Sequence, residues 1–521
     1  MHRLLARFGG YLSAGIALSL PVVFIPIASD SYVLPRASLV VAGSSLGVGL
    51  AALLPERPRL GALRLPLLAA TGAALLAFAF SISWPLSLAG SYTRYESLPI
   101  RLGYLGLLAS AVWLLRTQRQ RHLVVAAFVA GTCIACIKAW LQWVYHAPFR
   151  PDGDLGNANL LAALIVMAIP LAIDRATRAD RFMVAWGAAI VVLAAGLFVT
   201  TSRSGLAGAG AGCLALLAFT VQPRWGRVVA AGSAAVVGLG VVILLATPLR
   251  VLNNDPPELR LHLWQDGLGM VAARPITGYG EDTTGLNFGA FLSQDYATLI
   301  TFDRVHSGPL DIAVTQGVLG LVALGWVLLV LFRGAWRRRS ERDVAGLASA
   351  LVGYTVWVLP NFDWAPATGA FWLLAGALWS TTVAHSAGDR AAERRAVQIL
   401  RPAVALVLVA AGVVFAILPV LADVWYLRGR ADLSVRVDPL QAQYHWALGD
   451  GLIAQGDLRG GTAELRRTAD LGETEPGLYV ELGDREKQLG DVAAARRAYQ
   501  RALQIDPYYI PASQRLAALS G

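Results

Sequence analysis

Apolar runs of about twenty residues recur from near the start of this chain to residue 424, and that repetition decides its fold class. At 1.5 Å of rise per helical residue, one such run crosses a hydrocarbon core of about 30 Å. The runs fall near 10–29, 37–54, 65–81, 100–116, 123–143, 159–174, 182–200, 205–222, 228–247, 310–332, 344–360, 368–385 and 402–424. With 56% of the residues hydrophobic, 15% charged and a mean hydropathy of +0.55, most of the chain belongs in lipid. The expected architecture is all-α: a polytopic membrane helix bundle of about 12–13 spans over residues 1–424, followed by a small α-helical domain over 425–521.

The net charge of +10 does not imply nucleic acid, because the arginines punctuate alternate loops instead of gathering on one soluble face. With the amino terminus in the cytoplasm, the inside loops hold Arg3 and Arg7, Arg57, Arg59 and Arg64, Arg116, Arg119 and Arg121, Arg175, Arg178 and Arg181, and Arg224 and Arg227. Arg333, Arg337, Arg338, Arg339 and Arg342, then Arg390, Arg394, Arg395 and Arg401, continue the series. By the positive-inside rule this places both the polar interval at 248–309 and the carboxyl-terminal domain outside the cytoplasm. Met1 to Asp30 reads as a first span and not as a cleaved signal peptide, since no A-x-A site follows its apolar run. Cys133, Cys136 and Cys213 all lie in apolar spans. Without further Cys or His nearby they read as packing residues, and disulfides are not expected.

Past Asp423 the composition turns charged, Ala-rich and helical. Leu448-Gly449 recurs as Leu482-Gly483 and more weakly as Leu516-Ala517, and Gly456 recurs as Gly490, a period of 34 residues. Gly490, Ala495, Tyr499, Ala502 and Pro507 fall where a tetratricopeptide repeat has its turn glycine, small packing residues, aromatic and terminal proline, so the tail resembles that family. About two and a half such helix pairs would stack into a short curved array whose concave face suits a peptide or protein partner, or would serve as a spacer. Asp450, Glu464, Asp470 and Glu481 read as solvated faces of these helices.

The chemistry is sought in the interval 248–309, the longest polar break between spans, and in the other loops predicted to share its side. These loops are rich in arginine: Arg94 in Gly90-Ser91-Tyr92-Thr93-Arg94-Tyr95-Glu96, Arg203 in the turn Thr200 to Gly205, and Arg260 and Arg274 in the long interval. Asp154, Asn157 and Asn159 precede or open the sixth span. A guanidinium is always charged and offers a planar fork of donors suited to two phosphate oxygens, so converging arginines imply an anion. With no acidic cluster or His pair at ligand spacing in these loops, no divalent metal or other cofactor is expected. His306 is the residue of this set whose ordinary pKa lets it exchange a proton near neutrality, and it lies just before a span. It is the candidate general base for an acceptor hydroxyl, with arginines stabilising a departing pyrophosphate. Lys138 either faces the same cavity or snorkels. His122, His146 and His262 lack comparable surroundings, and Gly278-Tyr279-Gly280 is too short to count as a phosphate loop.

The order of these elements resembles the O-antigen ligase and O-antigen polymerase superfamily of bacterial envelope glycosyltransferases. It runs from a T-x-S-R-x-G turn at Thr200 to Gly205, through Arg260 with Trp264 and Arg274-Pro275 with Gly278-Tyr279-Gly280, to His306 before a span containing Gln316-Gly317-Val318-Leu319-Gly320. Gly90-Ser91 with Arg94, and Asn159, fit its amino-terminal half. The resemblance covers roughly residues 10 to 385. It implies a metal-independent enzyme of the bacterial cytoplasmic membrane that takes a glycan from undecaprenyl pyrophosphate at the outer face. The acceptor hydroxyl would belong to lipid A core, a growing glycan or a protein. By position His306 would be the base, Arg203, Arg260 and Arg274 would bind pyrophosphate, and Arg94, Asn159 and Ser307 would contact substrate. Ser307 stands where the family commonly has asparagine.

Two rival readings make different demands. A transporter or flippase for a lipid-linked sugar calls for charged residues deep within spans and repeats among them, and neither stands out here. A membrane-anchored scaffold would place all function in the tail.

Overall fold

The computed structural model describes residues 2–54, 60–178, 181–221, 257–295, 302–341, 343–383 and 395–519. The first half comprises α1 His2–Val22, α2 Val33–Leu53, α3 Arg64–Ala79, the short α4 Trp84–Ala89, α5 Leu98–Leu114, α6 Gln118–Val144, α7 Ala158–Ala176, α8 Met183–Thr200 and α9 Arg203–Thr220. Then come α10 Pro257–Ala273, the single turn α11 Thr284–Asn287, α12 Gly308–Arg337, α13 Val344–Val358, α14 Ala365–Ser380 and α15 Arg395–Leu427. The tail is α16 Ala431–Val437, α17 Ala442–Ala454, α18 Leu458–Leu471, α19 Pro476–Gln488, α20 Val492–Ile505 and α21 Ile510–Ala517. Among the described residues there is no strand.

Among the described residues, eight helical segments are long and apolar enough to cross a membrane, and Phe8–Val22, Leu98–Leu114 and Val344–Val358 are shorter apolar helices. Twelve of the expected segments coincide with α1–α3, α5–α9 and α12–α15. The span expected at 228–247 lies outside the described residues, as do Arg57, Arg59, Arg224, Arg227, Arg342, Arg390 and Arg394.

The first span ends earlier than its apolar run predicts. Pro26 lies four residues past Val22, and the buried Arg36 guanidinium of α2 takes over the freed carbonyls, donating Nε to Leu20 O at 2.9 Å and Nη2 to Pro21 O at 3.2 Å. Burial of this arginine shows that titratable residues do enter the helical bundle. Those present, such as Arg36, Arg101, Asp174, Arg175 and Asp311, sit near helix ends.

Burial follows composition. Helix α7, apolar on all sides, is buried over 89% of its span and packs against α6, α8, α9, α13 and α14. Every residue of α14 from Ala365 to Ser380 is buried as well. The outer helices turn large apolar side chains outward, as α15 does with Leu406, Val407 and Ile417, which is the pattern lipid selects. Helices α9 and α13 approach closely at Gly208 and Gly353, where an added Cβ on either would press on the carbonyl of the other.

The tail forms two successive antiparallel pairs, α17 with α18 and α19 with α20. Their turns repeat 34 residues apart in atomic detail. Gly456 and Gly490 take φ of 90° and 87°, and Asp457 and Asp491 then cap the next helices on the N–H groups of Gly460 and Ala494.

Candidate active site

Helix α12 breaks near its start. Gly317 has φ 69° and ψ −172°, and the segment from Pro275 to Gly280 lies along the opened turn. Val318 N donates to Pro275 O at 2.7 Å, Tyr279 N to Val314 O at 3.0 Å and Gly280 N to Thr315 O at 2.9 Å. A side chain on Gly317 would collide with the carbonyl of Ile276, and one on Gly278 with those of Val314 and Thr315. The glycine motif and the Gln316-Gly317 motif are therefore two halves of one backbone junction, and Gly278-Tyr279-Gly280 is its plug, not a phosphate loop.

The junction fixes the residue that follows it. Glu281, fully buried, accepts from Arg101 Nε at 3.0 Å and from Gln316 Nε2 at 2.5 Å, while its carbonyl accepts from Ser87 Oγ at 2.8 Å. Arg101 also reaches Asp363 at 3.1 Å and Glu96 at 3.8 Å, and Tyr104 donates to Glu96 at 2.7 Å. Burial pushes the Glu96 carboxyl up to about 7, although Arg101 and Arg304 act to lower it.

The loop before α12 is staked on three sides. Buried Arg304 pairs with Asp282, whose other oxygen accepts Ser91 N at 2.7 Å and Ser91 Oγ at 3.0 Å. Val305 N donates to Asp311 Oδ1 at 3.1 Å. Arg94 grips Asp303 with two donors, at 2.6 and 3.3 Å, and lies over the rings of Phe362 and Trp364 at 5.1 and 4.7 Å. Burial acts to raise the Asp303 carboxyl, but Arg94 and Arg304 outweigh it and hold it below the usual range.

His306 follows in a left-handed backbone conformation, φ 54°, with its ring edge-on to Phe362 at 5.2 Å and to Phe302 at 6.3 Å. Trp264 donates its indole N–H to the His306 carbonyl at 3.2 Å, and Arg260, one turn earlier on α10, donates to Pro360 O. Two of the expected site residues, Arg260 and His306, are thus tied to one framework of α10, the 302–307 loop and the 359–364 connection. Ser307 occupies the cap position of α12 without making a side-chain cap bond.

Arg203 opens α9, immediately after a two-residue turn from α8. Ser202 Oγ accepts Gly205 N at 3.1 Å and donates to Asn159 Oδ1 at 2.8 Å, which brings two expected residues into adjacent places. Arg274 occupies a third setting, over the Tyr279 ring at 5.3 Å, with its Nη1 buried and lacking a hydrogen-bond partner among the described residues.

Several expectations are revised by this geometry. Arg94 is engaged by Asp303 and two aromatic rings, so it supports the loop instead of presenting a bare fork. Acidic residues of the loops and of the start of α12, Glu96, Glu281, Asp282, Asp303, Asp311 and Asp363, interleave with Arg94, Arg101 and Arg304. Among the described residues, however, no group of three or more His, Cys, Asp or Glu is arranged to hold a metal ion. Lys138, expected to face the same cavity or to snorkel, pairs with Asp154 and lies over Phe24. All three cysteines are free thiols.

The opposite end of the bundle carries its own ionic knot, which gives His122 a setting the sequence did not suggest. Asp343 there receives His122 at 2.8 Å, Arg175 at 3.1 Å and Arg178 at 3.0 Å. The tail sits at the His306 end. Gln441 donates to Gly90 O at 3.3 Å, Gly289 lies against the carbonyls of Gln504 and Ile505, and Asp423 joins Tyr92, Tyr444 and Asp30 N at 2.8, 3.2 and 2.8 Å. Its acidic residues are not all solvated. Glu464 bonds His445 at 2.7 Å, Glu481 accepts from Trp446 at 3.0 Å, and burial with Glu481 nearby pushes Asp450 up to about 6.

Residues 188–325 match the family model described as O-Antigen ligase. No curated protein matches the chain. The matched stretch runs from within α8 to past the break in α12 and includes Arg203, Arg260, Arg274 and His306.

Proposed function

We propose that this chain is a membrane glycosyltransferase that moves a glycan from undecaprenyl pyrophosphate to an acceptor hydroxyl at the outer face of the bacterial cytoplasmic membrane. The observation that carries the reading is the coincidence of the O-Antigen ligase match, over residues 188–325, with the helical membrane bundle and the staked His306 loop. The positive-inside charge pattern supports an outward-facing His306 end, and the tail contacts that same end.

In this mechanism a ring nitrogen of His306 accepts the proton of the acceptor O–H as the oxygen attacks the anomeric carbon. The bond from that carbon to the pyrophosphate oxygen breaks, and the electron pair leaves with the lipid pyrophosphate. Arg203, Arg260 and Arg274 stabilise the charge that builds there, the role that cations perform best where water is excluded. In this reading Asn159, which accepts from Ser202, and Ser307, at the cap of α12, contact substrate, and Arg94 holds the loop through Asp303. Arginine, and not a metal ion, neutralises the leaving group. The tail resembles a tetratricopeptide array, and a groove of about 650 Å³ lined by Glu481, Asp484, Arg485 and Tyr509 offers a peptide or protein partner a place to dock.

Deleting the gene and profiling surface glycans tests the reading. Full-length glycan stranded on its lipid carrier is the expected result for a transferase to lipid A core or protein, and shortened chains the result for a polymerase. Unchanged glycans and glycoproteins contradict both. Transfer by the purified protein persists in a metal chelator; its loss there would overturn the arginine-only account of charge.

A further inference from the structure

Helices α8 and α9 meet end to end: α8 stops at Thr200, and α9 starts at Arg203 after Thr201, at φ 50°, and Ser202. The carbonyl end of one helix, worth about half a negative charge, therefore lies beside the N–H end of the next, worth about half a positive one. An anion held at Arg203 is attracted by α9 and repelled by α8.

Arg150 sits on the repelling end. Its Nη2 and Nε donate to Thr200 O at 2.7 and 3.2 Å, and Nη2 also reaches Asn159 Oδ1 at 3.4 Å. That same Asn159 oxygen accepts Ser202 Oγ, and Ser202 Oγ in turn caps Gly205 N. The turn that launches Arg203 is thus bound from α7, through Asn159, and from the 145–157 connection, through Arg150. The connection is itself a fixed base. Gln142 Oε1 accepts Asp152 N and Gly153 N, both at 2.9 Å, Gln142 Nε2 donates to Asp152 at 3.0 Å, and Lys138 pairs with Asp154.

We propose that Arg150 is a positioning residue for the donor pyrophosphate. It holds the 200–205 turn so that Arg203 meets the anion, and its charge cancels the negative end of α8. This rests on the reading of Arg203 as a pyrophosphate contact. Two donors of a planar guanidinium on one carbonyl give a directional clamp that an ammonium does not reproduce.

The test is binding of inorganic pyrophosphate to the purified full chain in detergent, comparing wild type with Arg150→Gln, Arg150→Lys, Arg203→Ala and the double variant Arg150→Gln/Arg203→Ala. Arg150→Gln keeps one donor toward Thr200 and removes the charge, and it binds pyrophosphate about tenfold more weakly. Arg150→Lys keeps the charge and loses the fork, and it binds about threefold more weakly; it also serves if Arg150→Gln does not fold. The double variant falls short of the product of the two single losses, because the clamp on the turn acts through Arg203 and only the charge of Arg150 acts on the anion by itself. Wild-type binding by both Arg150 variants alongside weakened Arg203→Ala overturns the role of Arg150 alone, as does full additivity in the double variant. Wild-type binding by Arg203→Ala overturns the pyrophosphate reading of Arg203 first, and the inference with it.

Discussion

The indole N–H of Trp264 reaches the backbone carbonyl of His306 at 3.2 Å, so α10 holds the histidine by its main chain. The bond supports a residue whose φ of 54° is one that few residues other than glycine adopt. Trp264→Phe keeps the ring and removes the donor, a loss of about 1 kcal/mol for a partly buried bond. Steady-state kinetics of the variant are expected to show kcat about tenfold lower with donor KM little changed. A rise in KM at constant kcat would mean that Trp264 binds donor instead of holding His306.

Gly317 and Gly325 lie in the same helix and should respond oppositely to alanine. At Gly317 a Cβ meets the Ile276 carbonyl and φ is 69°, whereas at Gly325 there is open space. Gly317→Ala is expected to lose about 2–4 kcal/mol and the Pro275 to Gly280 junction with it. Gly325→Ala should be neutral or gain up to about 1 kcal/mol from helix propensity. Thermal unfolding in detergent separates them, and equal stability of the two variants would contradict the broken-helix junction.

Glu96 gives the stability a pH signature. Its carboxyl rises to about 7 in the folded protein from an ordinary value of 4.5, so between those values the folded state binds more protons. The Glu96 contribution is fully present below about 4.5 and is lost as pH rises through about 7. Asp303 runs the other way: held low by Arg94 and Arg304, it contributes above its unfolded value and stops contributing as acid protonates it. Glu96→Gln keeps an acceptor for Tyr104 and should flatten the decline from pH 5 to pH 8 by on the order of 1–3 kcal/mol. Parallel stability profiles for wild type and variant would refute the buried-acid assignment.

The tail is expected to matter for turnover because it backs the segment that leads to His306. Gly289 lies so close to the carbonyls of Gln504 and Ile505 that a side chain there has no room. Gly289→Leu, which wedges α20 away while keeping all tail residues, should cut transfer about tenfold or more. The folded fraction by size-exclusion chromatography checks that the bundle persists. Full transfer by the variant would make the tail an independent appendage.

The spans and the 34-residue repeat were legible because each is a local periodicity: a twenty-residue apolar run or a recurring glycine can be read without knowing what it touches. The Pro275 to Gly280 motif and Gln316-Gly317 were visible as motifs, yet their purpose was not, since the hydrogen bonds joining them cross about forty residues. Arg101, Glu281 and Asp363 gave no signal at all. Each is a lone charged residue near an apolar run, and only the packing of α5 against the loops makes them partners. Arg150 carries no sequence signal for the same reason, because its target is a backbone carbonyl that no side-chain pattern announces. The partner of Arg94 is equally hidden from a sequence pattern, its aspartate lying more than two hundred residues away.

The central claim is that His306 takes the acceptor proton in a transferase built on pyrophosphate-binding arginines. Asparagine tolerates a left-handed backbone, so His306→Asn removes the base with little strain, whereas His306→Ala adds strain to the loss. The deciding measurement is single-turnover transfer from purified undecaprenyl-pyrophosphate-linked glycan by wild type and His306→Asn, with pyrophosphate binding measured on the same samples. The account predicts that the variant binds pyrophosphate within about twofold of wild type and transfers at least about a thousandfold more slowly. Wild-type transfer by a folded His306→Asn would contradict it.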